Sequence, residues 1–221
     1  MTVGAEAQDR AQFMLLMRAK GVRDLNLLRA LERAPRALFA PQRYGDIAGR
    51  DIALPIGCGQ TAPPPSIVAA MIEALAVQPH HRVLEIGAGA GYATALIVQL
   101  AASVLTLERC QSLALEAATR LEAFGATNVK VAWADALADG APAGPFDRIL
   151  INALIEEPWD RFGDRLTEDG VMVAARSVAR DGGREQRIVK ISRHGDGGFR
   201  AEDVGPARAF APLAAGLSRG L

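Results

Sequence analysis

Cysteine is scarce in this chain, with only Cys58 and Cys110 present. They lie too far apart for a zinc knuckle or a CxxC redox motif. Packing is the preferred reading for both, and a lone disulfide is the less favoured one. An excess of either charge is also missing: 25 Lys and Arg balance 25 Asp and Glu. That excludes the electrostatic footprint of a nucleic-acid or anionic-membrane binder. No uncharged apolar run reaches the length of a membrane span. The opening MTVGAEAQDR lacks the apolar core of a signal peptide. Aromatic residues are few, at 5%. Half of the 221 residues are nonetheless hydrophobic, enough for a substantial globular core. The expectation is a soluble, cytoplasmic protein with no metal site.

The chain changes texture twice. Phe13, Leu16 and Met17, then Leu25, Leu28 and Leu31, fall at helical spacing, so residues 5 to about 50 read as helices. Residues 51–66, DIALPIGCGQTAPPPS, forbid continuous helix through Pro55, Gly57, Gly59 and the run Pro63–Pro65. A loop of this kind is either a rigid connector or functional. Ser66 is placed to cap a following helix, IVAAMIEAL. From residue 82 short apolar runs alternate with helical patterns: RVLEIG, ATALIVQLAA, SVLTLER, QSLALEAATRLEAF, VKVAWAD, FDRILINA, EPWDRFGDRL and GVMVAAR. Such alternation predicts a parallel sheet with right-handed crossovers, covered on both faces. RDGG and RHGDGG flank EQRIVKISR, which reads as a hairpin arm. The expected organisation is one domain over 1–221. Residues 1–66 form a helical region and loop, 67–176 a ligand-binding core, and 177–221 a C-terminal β region.

Gly87, Gly89 and Gly91 end the first strand of the alternating region, where an open parallel sheet holds its ligand. A dinucleotide fingerprint, GxGxxG, would need glycine at 92, where Tyr92 stands. GxGxG suits S-adenosylmethionine, which has no pyrophosphate to seat. Glu108 ends the next strand and can accept both ribose hydroxyls; its other reading is a solvated strand-end charge. Asp135 ends the third strand and is open between the adenine amine and a helix cap. Glu85 is open between the amino group of the methionine moiety and a buried charge paired with an arginine.

These residues resemble the protein-L-isoaspartate O-methyltransferase family, along nearly the whole chain. APRALFAP (34–41) is similar to the family's PRxxFxP helix end, and DIALPIGCGQT (51–61) to its LPIGxGQT loop. VLEIGAGAGYATALIVQLA is similar to its glycine motif, FGATNVKV and PFDRILINA to its later strands, and FAPL (210–213) to its C-terminal FVPL. The resemblance implies a Rossmann-like class I S-adenosylmethionine-dependent methyltransferase fold with N-terminal helices and a C-terminal β extension. It implies S-adenosylmethionine as cofactor, bound by Glu85, Gly87, Gly89, Gly91, Glu108 and Asp135. It implies isoaspartyl proteins or peptides as partners, met by Ile56, Gly57, Cys58 and Gln60, and a monomer without nucleic acid or membrane. Thr61 and Pro63 occupy the methyl-transfer positions.

The chain departs from the family at three places. The family loop continues QTIS, with its serine hydroxyl at the reacting centre; here Ala62 and Pro63 follow Thr61, and Pro63 has neither hydroxyl nor backbone donor. The family's GDG reads Ala134-Asp135-Ala136, and its TAA reads Asn152-Ala153-Leu154. Three readings therefore stand: an isoaspartyl methyltransferase, a methyltransferase for another carboxylate, and a non-catalytic cofactor-binding homologue. His80, His81 and His194 read as non-catalytic, the first two as surface residues. Trp133 and Trp159 read as core or pocket wall. Arg176, Arg180, Arg184 and Arg187 read as a solvated face.

Overall fold

A computed structural model describes residues 3–157, 160–180, 183–193 and 198–219. Trp159 and His194 lie outside the described residues. The N-terminal part is helical, as its periodicity predicts: α1 (Val3–Ala19), α2 (Leu25–Arg33) and two 3₁₀ turns, Arg36–Phe39 and Gln42–Ile47. Asp24 caps α2, its Oδ1 accepting the Asn26 and Leu27 amides at 2.7 and 3.0 Å. Leu27, Leu28 and Leu31 turn inward, whereas Leu25, expected on the apolar face, is 59% exposed.

The irregular stretch contains a two-residue ladder, β1 (Leu54–Pro55) against β2 (Thr61–Ala62), followed by α3 (Pro65–Leu75). The expected Ser66 cap is not what starts α3. Pro64 holds the cap position without a side-chain bond, and Pro65, whose missing N–H costs nothing there, is the first helical residue. Ser66 instead donates its amide and hydroxyl to Asp51, at 3.0 and 2.8 Å. That pair staples the loop to the helix that follows it.

The alternating region gives β3 (Arg82–Ile86), α4 (Tyr92–Ile97), β4 (Ser103–Glu108), α5 (Gln111–Phe124), β5 (Val129–Trp133), β6 (Phe146–Leu154) and α6 (Asp160–Gly163). Three long strands follow: β7 (Leu166–Arg180), β8 (Gly183–Arg193) and β9 (Phe199–Ala207). They form one seven-stranded sheet in the order β5-β4-β3-β6-β7-β8-β9. The first five strands run parallel; β8 and β9 are antiparallel. EQRIVKISR is thus paired on both sides, and β7 runs through residue 176 without a break.

Period-two packing explains why the parallel strands read as continuous apolar runs. Val83, Val104, Leu150 and Val173 face the helical core, while Leu84, Leu107, Ile149, Ile151 and Met172 face the opposite one. The order reverses between β3 and β6, which opens a crevice at the carboxyl ends of β3, β4 and β6. Among the described residues, no helix is long and apolar enough to cross a membrane.

Two expectations fail at the sheet's margins. His81 is buried rather than on the surface: its Nδ1 accepts the Gln78 amide at 2.9 Å and its carbonyl accepts the Ala102 amide. Trp133 sits on the edge strand, 37% exposed, and donates Nε1–H to the Arg109 carbonyl. It walls no pocket. Arg187 and Arg184, on the surface of the antiparallel half, pair with Asp203 and Ser177. Of the face expected to be solvated, Arg184 is exposed, whereas Arg176 and Arg187 are half-buried and the Arg180 side chain lies outside the described residues.

Candidate active site

The crevice is floored by the glycine turn. Gly87, Gly89 and Gly91 have φ of +87, +53 and +91°, conformations that L side chains rarely adopt. The amides of Gly87 and Ala88 both reach the Leu107 carbonyl, so the turn is pinned to β4. A Cβ on Gly91 would make ordinary contact with Ala117 of α5, so its left-handed backbone rather than crowding calls for glycine there, and it does not itself line the cavity. Position 92, where a third fingerprint glycine would lie, is filled by the buried Tyr92 ring, packed on Phe39.

Glu108 stands at the carboxyl end of β4, only 6% exposed and facing the cavity. Its Oε2 accepts the Gly89 amide and its Oε1 the Cys110 amide, each at 2.9 Å. Two backbone donors therefore hold the carboxylate rigid and use about half of its roughly four acceptor sites. What remains, one acceptor site on each oxygen, matches a vicinal diol. The residues present thus fit the ribose of S-adenosylmethionine. Asp135 also lines the cavity, but both its oxygens already accept backbone amides: Leu137 at 2.8 Å and Gly216 at 2.6 Å.

Glu85 is not on the cavity wall. It is fully buried beneath the glycine turn, accepting from Thr94 Oγ1 at 2.5 Å and Asn152 Nδ2 at 2.9 Å. Burial pushes its pKa up to about 7, against the pull of these hydrogen bonds. Among the described residues no arginine pairs with it, contrary to one reading of the sequence. Asn152 reaches both Glu85 and the Gly87 carbonyl, so it couples the buried acid to the turn and lines the cavity as well.

The loop 51–66 closes the crevice from the side. Ile56, Cys58, Gln60, Thr61, Ala62 and Pro63 line it, while Gly57 packs outward on Leu113 of α5. The Ile56 amide meets the Gln60 carbonyl and the Gln60 amide the Gly57 carbonyl, at 2.9 and 3.0 Å, which folds the tip into a tight turn. Cys58 takes φ +56° within it.

Sequence reasoning missed Arg36, within APRALFAP. This buried guanidinium donates to the carbonyls of Ile52, Ala62 and Pro63 at 3.0, 3.2 and 2.9 Å, with a longer contact to Ala48. It ties both ends of the loop together. Its acceptors are main-chain atoms, which no side-chain pattern can announce. The far wall was visible only as FAPL: Ala211–Ala214 and Ser218 cover the cavity. Leu154 brackets Ala211 and Leu213, and Ser218 bonds Gln111 and Arg109.

The two cysteines correct the packing expectation. Cys58 of the loop and Cys110 of the α5 N-terminus form a disulfide, their Cα atoms 6.7 Å apart.

This geometry has known counterparts. The profile described as protein-L-isoaspartate(D-aspartate) O-methyltransferase (PCMT) matches residues 8–217. The chain belongs to that family. The protein-L-isoaspartate O-methyltransferase of Azorhizobium caulinodans is 42% identical over 215 residues, covering 97% of this chain and 96% of its own. That of Caulobacter vibrioides is 40% identical over 211 residues, covering 96% and 93%. A Plasmodium falciparum beta-aspartate methyltransferase (PCMT), solved in complex with S-adenosyl-L-homocysteine, superposes with a TM-score of 0.76 at 18% identity. It covers 92% of this chain and 97% of its own. At that identity the likeness shows the shared methyltransferase fold, as expected from the sequence.

Proposed function

We infer that this family member is an S-adenosylmethionine-dependent carboxyl methyltransferase that acts on L-isoaspartyl residues of damaged proteins. The observation that carries this reading is the continuous cavity between Glu108, the glycine turn and the 56–63 loop, which joins a nucleoside seat to a family-type substrate loop.

S-adenosylmethionine supplies an electrophilic sulfonium methyl when bound. The residues of this chain do the rest. Glu108 takes the ribose hydroxyls, and Gly87 and Gly89 let the main chain approach the ligand. Asp135 acts chiefly by holding the C-terminal wall, through Gly216, beside the adenine position. Glu85 and Gly91 are positioning residues, Glu85 through Asn152 and the turn and Gly91 through its left-handed place at the start of α4. The acceptor carboxylate is ionised at neutral pH, so the chain needs no general base. Its task is to hold one oxygen on the methyl axis, about 3 Å away, and keep water out. Ile56, Cys58, Gln60 and Thr61 form that face of the cavity, with Gly57 setting the loop's approach to α5. Pro63 brings no donor to the acceptor, and Ser66 cannot replace it, because its hydroxyl is spent on Asp51. The partners are isoaspartyl proteins or peptides, the chain acts as a monomer without nucleic acid, and its compartment is the cytoplasm.

Calorimetric titration tests the cofactor half of this reading. S-adenosylhomocysteine should bind and NAD should not. Glu108→Ala should weaken binding by about 2–4 kcal/mol, from about 1–2 for each of two charge-assisted bonds. NAD binding without an S-adenosylhomocysteine response, or an unchanged affinity in the variant, contradicts it.

A further inference from the structure

The Cys58–Cys110 pair stands where chemistry and movement meet. Cys58 lies at the tip of the loop, where it and Gly59 are both left-handed and two amide bonds close the turn. Cys110 caps the N-terminus of α5, two residues after Glu108. Both residues line the cavity. The loop already touches the cofactor floor here: a Cβ on Gly89 would stand 3.3 Å from Ile56 Cδ1, and one on Gly57 would stand 3.3 Å from Leu113 Cδ2. Apart from the disulfide, the tip is held by the two-residue β1–β2 ladder, two amide bonds, a long Gln60 Nε2 contact to the Cys58 carbonyl and a 3.3 Å contact between Cys58 Sγ and Ser112 Oγ of α5. Arg36 anchors the loop's ends, at Ile52, Ala62 and Pro63, and leaves the tip alone. The disulfide is therefore the one covalent tie between the loop tip and the nucleoside seat.

We propose that Cys58 and Cys110 form a reversible thiol–disulfide latch that fixes the loop tip over the cofactor cavity when oxidised and frees it when reduced. The reaction is thiol exchange with a low-molecular-weight disulfide. Cys58 is half-buried and Cys110 fully buried, so the Cys58 thiolate attacks first, forming a mixed disulfide and expelling one thiolate. The Cys110 thiolate then attacks the Cys58 sulfur and expels the second. The two protein thiols lose two protons and two electrons, and the reagent disulfide is reduced to two thiols. In a reducing compartment such a pair serves as a sensor rather than a permanent brace.

The latch rests on the cofactor reading only for its consequence, so the test reads the loop without cofactor as well as with it. The full chain is equilibrated in glutathione disulfide or in dithiothreitol. Intact mass after alkylation should count no free thiols in the first and two in the second. Amide hydrogen exchange over residues 54–63 should be at least tenfold slower in the oxidised form. S-adenosylhomocysteine should then leave at least tenfold more slowly. In Cys110→Ser, both ratios between the two buffers should fall to one. Glutathione adducts in place of an internal disulfide, or equal exchange in the two redox states, overturn the latch. Slowed exchange without any S-adenosylhomocysteine binding leaves the latch standing and removes the cofactor reading instead.

Discussion

Burial governs Glu85 more than any partner does. Its carboxyl, raised to about 7 from an ordinary 4.5, keeps its proton in the fold at pH values where the unfolded chain has lost it. Between those limits the folded state binds more protons, so stability falls as pH rises from about 4.5 to about 7. Above that window the whole penalty stands, on the order of 3 kcal/mol at about 1.4 per pH unit. Glu85→Gln keeps an acceptor for Thr94 and removes the titration. It should match wild type in chemical denaturation near pH 4.5 and exceed it by about 2–3 kcal/mol at pH 8. A difference that stays flat with pH would show that Glu85 is not buried as described. At this scale the sequence was uneven. Glu108 was legible because a carboxylate ending a strand beside a glycine turn has few other uses. His81, Arg36 and Ser66 were not, because each is explained by a partner distant in sequence or in the main chain. Glu85 was expected at the ligand because it precedes the glycine turn, but the period of two turns it inward, under the turn.

In the proposed function the loop 51–66 is the element on which activity turns. Arg36, the β1–β2 ladder and the Ser66–Asp51 pair hold it, and three consecutive prolines stiffen its exit. In the Pro63→Ser variant the carbonyl that Arg36 holds is kept, while a hydroxyl is placed on the cavity wall and some loop entropy returns. Isoaspartyl methylation should rise several-fold or more, from about 1–2 kcal/mol of recovered positioning, with S-adenosylhomocysteine affinity unchanged. A variant no faster than wild type would assign the acceptor to Thr61 or to the main chain. The proline and glycine content made this loop recognisable as irregular, and the LPIGxGQT likeness made it recognisable as a substrate loop. Neither could reveal its disulfide, since the pairing depends on α5 lying against the tip, a contact between residues 52 positions apart.

The whole molecule reads as a sheet whose parallel half makes the cofactor crevice and whose antiparallel half supports its far side. The parallel half was legible from the alternation of apolar runs and helical patterns, which dictates crossovers of one hand. The C-terminal wall was not, because residues 211–219 have no period and take their place from partners distant in sequence, among them Leu154, Arg109, Gln111 and Asp135. That wall, the glycine turn and the loop meet around one cavity, and the account stands on what is methylated there. The most direct measurement is transfer of a labelled methyl group from S-adenosylmethionine to an isoaspartyl peptide beside its ordinary aspartyl twin. The account predicts base-labile methyl ester on the isoaspartyl peptide and none on the twin. Equal labelling of both, or none on either from protein that binds S-adenosylhomocysteine, would contradict it.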